Sequence, residues 1–284
     1  MSGGQGSARP GDAAGYLPEM FGLAGRVAVI TGGGGVLAAH MAEALLKAGA
    51  SVSLWGPHES SLRETAERAG AAADAGSRIT WTLADAGSED SVTAAAEATV
   101  GQLGRIDILV NAVGGNRGKG PFVDTDIARF EEVLRLNLVA GFLVPTKVIC
   151  RQWVAGGTHG SIINLASMGS YVPLSGVWAY NAAKAGVLNL TAAAAKEFAP
   201  QGIRVNAIAP GFFLGKQNRA LLVDEKTGKP TARGESVISR TPFGRFGEPK
   251  ELAGALLFLA STRAAGFVTG VCIPVDGGFL TDNI

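Results

Sequence analysis

Two residues near the middle of the chain have the types and spacing for acid–base chemistry on a carbonyl or hydroxyl group. Tyr180 and Lys184 are four residues apart in an Ala-rich run with helical periodicity. On a helix this spacing places both side chains on one face. An ammonium beside a phenol favours the phenolate, so we expect the pKa of Tyr180 to fall toward working pH. Tyr180 could then act as a general acid or base.

Ser167 lies upstream of this pair, at the end of the strand-like run 160–166. Its hydroxyl could hydrogen-bond the same substrate oxygen as Tyr180. The Tyr-x-x-x-Lys spacing alone also fits an ordinary helix face. Ser167 and the motifs upstream of it favour the catalytic interpretation.

A glycine turn near the N-terminus has the sequence context of a dinucleotide site. Residues 26–31 form a short β-branched run that predicts a buried strand, and residues 36–47 have helical periodicity. Between strand and helix, glycines let the backbone approach a pyrophosphate, whose charge is met by the helix N-terminus. A plain tight turn would look similar. The candidate contacts are Gly32, Gly34, Gly35, Val36 and Leu37.

The end of the second predicted strand, 50–55, bears on the choice of cofactor. In such folds an acidic residue here binds the adenosine ribose and rejects a 2′-phosphate. The chain has Gly56, Pro57 and His58 instead. We therefore expect NAD(H) or NADP(H), with a slight preference for NADP(H). Asp85, after the next strand, either caps the following helix or accepts a hydrogen bond from the adenine amino group.

The fourth predicted strand, 106–111, ends in a glycine turn that could form the floor under a cofactor. Its candidate contacts begin at Asn111. The helical run that follows contains Asn137 among apolar residues. This side chain either hydrogen-bonds backbone groups in the core or holds a water in a proton path.

The elements around these motifs predict an α/β fold. Strands alternate with helices along the chain, which indicates a doubly wound parallel sheet with helices on both faces. We expect a mobile tail over 1–20 and one domain over 21–284. The polar, cation-rich segment 212–247 interrupts the alternation and is predicted to be a substrate lid. The alternative is a solvated surface insertion.

Composition excludes several classes of function. The 284 residues are 47% hydrophobic with a formal net charge of +1, which gives no electrostatic case for nucleic acid or an anionic membrane. No apolar run reaches about 18 residues and no signal peptide is visible, so we expect a cytoplasmic protein without a membrane span. Cys150 and Cys272 lie in apolar runs, which predicts buried thiols rather than a disulfide or a metal site.

The motifs occur in the order and spacing of the short-chain dehydrogenase/reductase family, and the resemblance covers about 23–279. The residues that carry it are Thr31-Gly32, Asp85, Asn111 to Gly114, Asn137, Ser167, Tyr180, Lys184, Pro210-Gly211 and Val275 to Gly278.

This resemblance implies a Rossmann fold, a nicotinamide cofactor and a homo-oligomer, in particular a homotetramer. It makes Tyr180 the general acid/base, lets Ser167 position the substrate oxygen and has Lys184 hold the nicotinamide ribose. Asn137 would order the proton-relay water. Further cofactor contacts implied by the resemblance are Gly56, His58, Asp85, Ala86, Asn111, Ala112, Gly114, Pro210, Gly211 and Phe213.

Two features distinguish this chain within the family pattern. Val36 and Ala38 stand where the family has glycines, and the usual Asn-Asn-Ala-Gly appears as Asn-Ala-Val-Gly at 111–114. The glycine turn also resembles that of one subgroup, the D-mannonate oxidoreductases (fructuronate reductases). Further blocks of this subgroup resemblance are 114–116, 209–214, 217–222 and 241–249.

The subgroup resemblance implies hydride transfer to or from a small anionic substrate, a keto or hydroxy sugar acid such as D-fructuronate/D-mannonate. A 3-oxoacyl-thioester reductase or a gluconate- or polyol-type dehydrogenase is the alternative within the class. A non-catalytic dinucleotide-binding regulator is the alternative from another class. The presence of all four residues of the catalytic tetrad, Asn137, Ser167, Tyr180 and Lys184, argues against it. The candidate substrate contacts are Asn116, Arg117, Asn181, Lys216 and Arg219.

Overall fold

The computed structural model describes residues 12–73, 76, 78–215 and 219–282. Its centre is a sheet of seven strands in the order β3-β2-β1-β4-β5-β6-β7, and every neighbouring pair is parallel. The strands are β1 Val27–Thr31, β2 Ser51–Gly56, β3 Ile79–Leu83, β4 Ile108–Asn111, β5 Ser161–Leu165, β6 Arg204–Pro210 and β7 Cys272–Val275.

Helices alternate with these strands along the chain. They are α1 Asp12–Phe21, α2 Val36–Lys47, α3 Glu59–Ala72, α4 Glu89–Leu103, α5 Ile127–Leu134, α6 Val144–Gly156, α7 Trp178–Phe198, α8 Arg219–Leu222, α9 Ala232–Ser239, α10 Ala253–Ala260 and α11 Thr262–Ala265. A π-helical segment, Arg135–Leu143, joins α5 to α6.

Alternate residues of the central strand enter two hydrophobic cores, one on each face of the sheet. Ala28 and Ile30 of β1 pack in the core that includes residues of α2 and α10. Val29, between them, packs in the core that includes residues of α4, α6 and α7. A parallel strand covered on both faces is apolar throughout, which is why Val27–Thr31 shows no polar alternation. The predicted doubly wound sheet is confirmed.

The strand order reverses between β1 and β4. From β1 the chain builds outward through β2 and β3, whereas β4 begins the other half of the sheet. Thr31 and Asn111 are register partners at the carboxyl ends of these two central strands. In open α/β sheets ligands bind in the crevice at this reversal. The candidate residues should therefore meet there.

The N-terminal helix α1 corrects the predicted tail. Residues 12–20 were expected to be mobile, but they belong to a helix docked near α11. The Ser261 hydroxyl donates to the Met20 carbonyl at 2.5 Å, and Glu19 forms an ion pair with Arg263. These contacts join residues more than two hundred positions apart, so a local sequence pattern could not predict them. Residues 1–11 lie outside the described part of the chain.

The helical run Ile127–Gly156 is long and apolar enough to cross a membrane by length and composition alone. In the fold, 61% of its apolar window is buried inside the protein. Phe142, Ile149 and Trp153 pack in the core beside the sheet. The run is thus accounted for as a core helix.

Both cysteines are free thiols. Cys150 is fully buried in α6, and burial raises the pKa of its thiol to about 12. Cys272 is half-buried in β7 and shares a hydrogen bond with Tyr171. The prediction of a buried thiol is confirmed for Cys150 and holds in part for Cys272.

Candidate active site

Helix α7 presents Tyr180 and Lys184 on one face, as their spacing predicts. The Lys184 Nζ lies 5.8 Å from the centroid of the Tyr180 ring. Lys184 is 4% exposed, and its Nζ donates to the Leu165 carbonyl at 2.7 Å. The ammonium is therefore anchored to the end of β5.

Ser167 follows β5 directly and begins a short 3₁₀ turn, Met168–Ser170. Its hydroxyl accepts a hydrogen bond from the Gly169 N–H at 3.2 Å, and it also hydrogen-bonds Tyr180. Ser170 completes a capping box, because its hydroxyl accepts from the Ser167 N–H. The same hydroxyl donates to the Lys184 carbonyl at 2.7 Å. The turn carrying Ser167 is thus joined to the helix carrying Tyr180.

The pKa values of the pair differ from the expectation. Desolvation raises the pKa of Tyr180 above its ordinary value, and the hydrogen bond from Ser167 opposes that shift. Burial lowers the pKa of Lys184 to about 8. The predicted fall in the pKa of Tyr180 is therefore wrong for this structure, because burial of the phenol outweighs the opposing hydrogen bond.

Asn137 lies in the π-helical segment and is completely buried. Its Oδ1 accepts from the Gly115 N–H at 3.0 Å, and its Nδ2 donates to the carbonyls of Gly115 at 2.7 Å and Val133 at 2.9 Å. Of the two interpretations of Asn137, hydrogen bonding to backbone is the one observed for its side chain. The loop that follows β4 is thereby fixed to the helix.

Gly114 allows this loop to lie against the catalytic residues. A Cβ at position 114 would be 2.7 Å from Asn137 Oδ1 and 3.2 Å from Lys184 Nζ. Any larger residue would displace one of them. Gly114, Asn137, Ser167, Tyr180 and Lys184 therefore converge at the carboxyl ends of β4 and β5.

The glycine turn after β1 fits a pyrophosphate. A Cβ at Gly33 or Gly34 would lie 2.7 Å from the Cβ of Leu54 or Ser61, so the turn is packed tightly against β2 and α3. Helix α2 begins at Val36 and Leu37, and its N-cap, Gly35, provides no side-chain hydrogen bond. Its first turn also carries no acidic residue. The positive end of this helix can therefore meet an anion.

Gly33 and Ser170 are two site residues that the sequence reasoning missed. The four-glycine run gave no indication of which glycines are required by packing. Ser170 was within reach of prediction, since Ser167 and Ser170 have the spacing of a capping box.

Gly56 and His58, the predicted contacts of the cofactor's adenosine, lie at the end of β2 and at the start of α3. His58 is the N-cap residue of α3 and makes no side-chain capping bond. Asp85 accepts from the Gly87 N–H at 2.8 Å, with Ala86 between them. The cap of α4 is Ser88, which resolves one of the alternatives for Asp85. Binding of the adenine amino group remains a prediction.

The side chain of Asn111 is fully buried, away from the crevice. Its Nδ2 donates to Thr146 Oγ1 at 3.0 Å and to Asn164 Oδ1 at 2.9 Å. Asn164 in turn donates to Thr191 at 3.0 Å. Asn111 therefore stabilises the packing of β4, β5 and the helices over them. Any cofactor contact made by Asn111 and its neighbour Ala112 would involve backbone.

Residues after β6 form another wall of the crevice. The Gly211 N–H donates to the Val275 carbonyl at 3.0 Å, which extends the pairing of β6 and β7 beyond Pro210. The Phe213 side chain is 6% exposed and belongs to the core on the α2 side of the sheet. Its backbone is bridged to Gly247. The predicted cofactor contact at Phe213 would therefore be through backbone atoms.

The candidate substrate residues within the described ranges lie in the loop after β4, in α7 and at the start of α8. Asn116 donates to the Gly118 carbonyl at 2.8 Å, and Arg117 forms an ion pair with Glu132. The amide of Asn181 donates to and accepts from the Leu174 backbone, at 2.8 and 3.2 Å. Arg219 is exposed at the start of α8. Lys216 lies outside the described residues.

Metal ligands do not gather in the described ranges: no three His, Cys, Asp or Glu side chains there come together as a metal-binding group. Tyr180, on α7 beside Lys184, has the chemistry of a general acid or base.

A family sequence model described as enoyl-(acyl carrier protein) reductase matches residues 35–280. This range includes every catalytic candidate.

Similar proteins of known sequence include several oxidoreductases. The chain is 40% identical over 282 residues to the uncharacterised oxidoreductase UxuB of Bacillus subtilis, covering 93% of this chain and 98% of that protein. It is 36% identical over 262 residues to the 2-dehydro-3-deoxy-D-gluconate 5-dehydrogenase of Escherichia coli, covering 92% and 97%.

Solved structures with the same fold contain nicotinamide cofactors. A candidate D-mannonate oxidoreductase from Haemophilus influenza, with NAD bound, has a TM-score of 0.85 and 34% identity, covering 94% of this chain and 99% of its own. A candidate 2-deoxy-D-gluconate 3-dehydrogenase from Agrobacterium tumefaciens, with NADP bound, has a TM-score of 0.81 and 33% identity, covering 92% and 99%.

Proposed function

The chain belongs to the short-chain dehydrogenase/reductase family, and from that premise we propose that it interconverts a keto and a hydroxy sugar acid, D-fructuronate and D-mannonate in particular. As a family member it is an NAD(P)-dependent oxidoreductase acting on a CH–OH group. The observation that carries the proposal is the convergence of Ser167, Tyr180 and Lys184 beside the glycine floor at Gly114.

Ser167, Tyr180 and Lys184 have different roles in carbonyl reduction. A bound nicotinamide would supply or accept the hydride. Tyr180 donates a proton to the substrate oxygen during reduction and removes it during oxidation. Ser167 hydrogen-bonds the same oxygen, which its contact with Tyr180 places within reach. Lys184, anchored to the Leu165 carbonyl, would hold the nicotinamide ribose of a bound cofactor.

Asn137 serves this machinery in two ways in the proposal. Its amide fixes Gly115, and with it the cofactor floor. It would also contribute to the ordering of a proton-relay water, as the family resemblance implies. Because Gly115 and Val133 already occupy its side-chain amide, that water would be held mainly by other groups, such as backbone carbonyls of the π-helical segment.

Two observations support a sugar acid over other substrates. The relatives described above include proteins named for deoxygluconate and mannonate substrates, which are small polyhydroxylated carboxylates. The loop that passes Lys184 at Gly114 also carries the amide of Asn116 and the cations Arg117, which is paired with Glu132, and Lys119. The description of the matched family model keeps an acyl-thioester reductase as the competing candidate.

The segment 212–247 acts as the substrate lid in this proposal. It follows β6 at the carboxyl edge of the sheet, where ligands bind in such folds. Leu222, Val223 and Val237 form a small core of their own there, packed with Phe212 and Phe246. Phe213 of the same segment belongs to the core on the α2 side, which joins the segment to the sheet.

We further infer a homotetramer located in the cytoplasm. The tetramer rests on the family resemblance. The cytoplasmic location fits two free cysteines, which persist in a reducing compartment.

Turnover against a substrate panel tests the proposal. The panel contains D-mannonate, D-gluconate, 2-dehydro-3-deoxy-D-gluconate and a 3-oxoacyl thioester, each with both cofactors. We expect kcat/KM for a sugar acid to exceed that for the thioester by at least about 100-fold, which is roughly 2.7 kcal/mol of transition-state discrimination. Efficient turnover of the thioester alone would contradict the proposal.

A further inference from the structure

Two loops form opposite banks of the crevice beside Tyr180. The first bank, residues 114–120, leaves β4 next to Lys184. The second bank, residues 171–177, leads into α7 just before Tyr180. The Gly120 N–H donates to the Gly176 carbonyl at 3.1 Å, and Trp178 Nε1 donates to the Gly120 carbonyl at 3.0 Å. The banks are thus joined close to the catalytic tyrosine.

Lys119 lies at this junction. A Cβ at Gly176 would be 2.9 Å from Lys119 Cγ and 3.3 Å from its Cε, so the aliphatic part of Lys119 packs along Gly176. Gly176 has a φ of +73°, in the region that favours glycine. The absence of a side chain at 176 leaves room for Lys119 to cross from the first bank to the second.

The ammonium of Lys119 differs from the neighbouring cations in its partners. Within the described ranges, no carboxylate oxygen lies within 4.0 Å of Lys119 Nζ. Arg117, two residues earlier, is paired with Glu132 of α5. Arg135, also near the crevice, donates to the Gly87 carbonyl at 3.3 Å. Lys119 is therefore the cation on these banks that is available to an anion.

We infer that Lys119 binds the carboxylate of the substrate. The inference rests on the proposed sugar-acid function, and it extends that function by naming the cation. The reacting carbonyl is held at Ser167 and Tyr180, and Trp178 connects the start of α7 to Gly120, next to Lys119. In a substrate bound in this way, the carbonyl is at Ser167 and Tyr180, and the carboxylate, at the far end of a short polyol, is at Lys119.

Lysine suits this role because its ammonium carries three donors on a flexible stem. Such a group can follow carboxylates of slightly different position. Lys119 is exposed, so the attraction should be partly screened by salt. Of the predicted alternatives, Arg219 belongs to the lid, and Lys216 lies outside the described residues.

The experiment compares an acid with its neutral analogue. The substrates are D-mannonate and D-mannitol, in which the carboxylate is replaced by a hydroxymethyl group; if the panel selects another acid, that acid and its alditol are used. We expect Lys119→Met to lower the ratio of kcat/KM for the acid to that for the alditol by about 10- to 100-fold. Lys119→Arg should restore most of this ratio.

Two further variants make the result specific. Lys47→Met removes an exposed charge at the end of α2, where it pairs with Glu43, and should leave the ratio unchanged. Arg117→Met tests the rival cation. If Lys119→Met changes both substrates equally, or if Arg117→Met alone lowers the ratio, the inference is wrong while the sugar-acid function stands. If the wild type turns over no sugar acid, the proposed function fails and the inference fails with it.

Discussion

The Ser170 hydroxyl donates to the carbonyl oxygen of Lys184 at 2.7 Å and so joins the turn that carries Ser167 to the helix that carries Tyr180. The same hydroxyl accepts from the Ser167 N–H at 3.2 Å. One side chain thus fixes the distance between two groups that must act on one substrate oxygen. Ser170 is a positioning residue in this account.

Ser170→Ala should therefore lower kcat by about 10-fold, since small misplacements of catalytic groups are costly. The free energy of unfolding should fall by only about 1 kcal/mol, the usual value of such a hydrogen bond. The Kd for NADH, measured by fluorescence, should stay within a factor of about 2. Ser170→Thr retains the hydroxyl and should recover activity. Full activity in Ser170→Ala, or no recovery in Ser170→Thr, would remove the positioning role.

Burial of the charged Lys184 should lower the free energy of unfolding of the cofactor-free protein at neutral pH. Burial lowers its pKa from 10.5 to about 8, so below pH 8 the unfolded chain holds the proton more favourably than the folded one. At 1.36 kcal/mol per unit this amounts to about 3 kcal/mol at pH 7, and the penalty disappears as pH rises from 8 toward 10.5. Replacing Lys184 by an apolar residue would remove this penalty, but it would also remove the hydrogen bond to the Leu165 carbonyl, which is worth about 1 kcal/mol.

Lys184→Met should accordingly be inactive yet more stable than the wild type at pH 7. Denaturant unfolding of both proteins at pH 7 and pH 10 measures the difference directly. We expect that difference to shrink or change sign at pH 10, because the folded wild type has then released the proton of Lys184 and buries a neutral amine. A variant that is less stable than the wild type at pH 7 would show that the burial penalty is smaller than the lost contacts.

Gly56 should govern discrimination between the two cofactors. A Cβ at this position would lie 3.3 Å from Leu62 Cδ2, the mobile end of a side chain, so a larger residue can be accommodated. Gly56→Asp places a carboxylate where a 2′-phosphate would sit and should weaken NADPH binding by at least about 10-fold while leaving NADH binding intact. Gly56→Asn has the same shape without the charge and should show little of this effect.

Fluorescence titration with NADH and NADPH measures these affinities without turnover. The wild type should discriminate weakly, with a slight preference for NADP(H). The similar structure from Haemophilus influenza, which has NAD bound, favours the opposite preference. A wild-type preference for NAD(H) above about 100-fold, or roughly 2.7 kcal/mol, would contradict the expected order.

Local spacing was enough to predict the centre of the site. Tyr180 and Lys184 share a helix face, and Ser167 follows a strand end, so their meeting depends on periodicity and on the parallel sheet. The direction of the Asn111 side chain could not be predicted in this way. Its burial depends on which face of β4 is covered by α6 and α7, and the sequence of β4 alone does not contain that.

Other features depended on contacts between distant parts of the chain. Helix α1 is docked through Ser261 and Arg263, far from it in sequence. The pKa of Tyr180 depends on desolvation and on the hydrogen bond with Ser167, which the four-residue spacing does not specify. The sequence could have shown that Asp85 does not cap α4, since Ser88 is a better-placed N-cap residue at the start of that helix.

The most direct test of the central claim is the turnover of D-mannonate by wild type and Tyr180→Phe, with cofactor binding measured in parallel. The substitution removes only the hydroxyl, so the Kd for NADH should stay within a factor of about 3. We predict that kcat falls by at least about 10²–10⁴-fold, the usual contribution of a general acid or base. Near-normal turnover in Tyr180→Phe would remove Tyr180 from the mechanism and contradict the account.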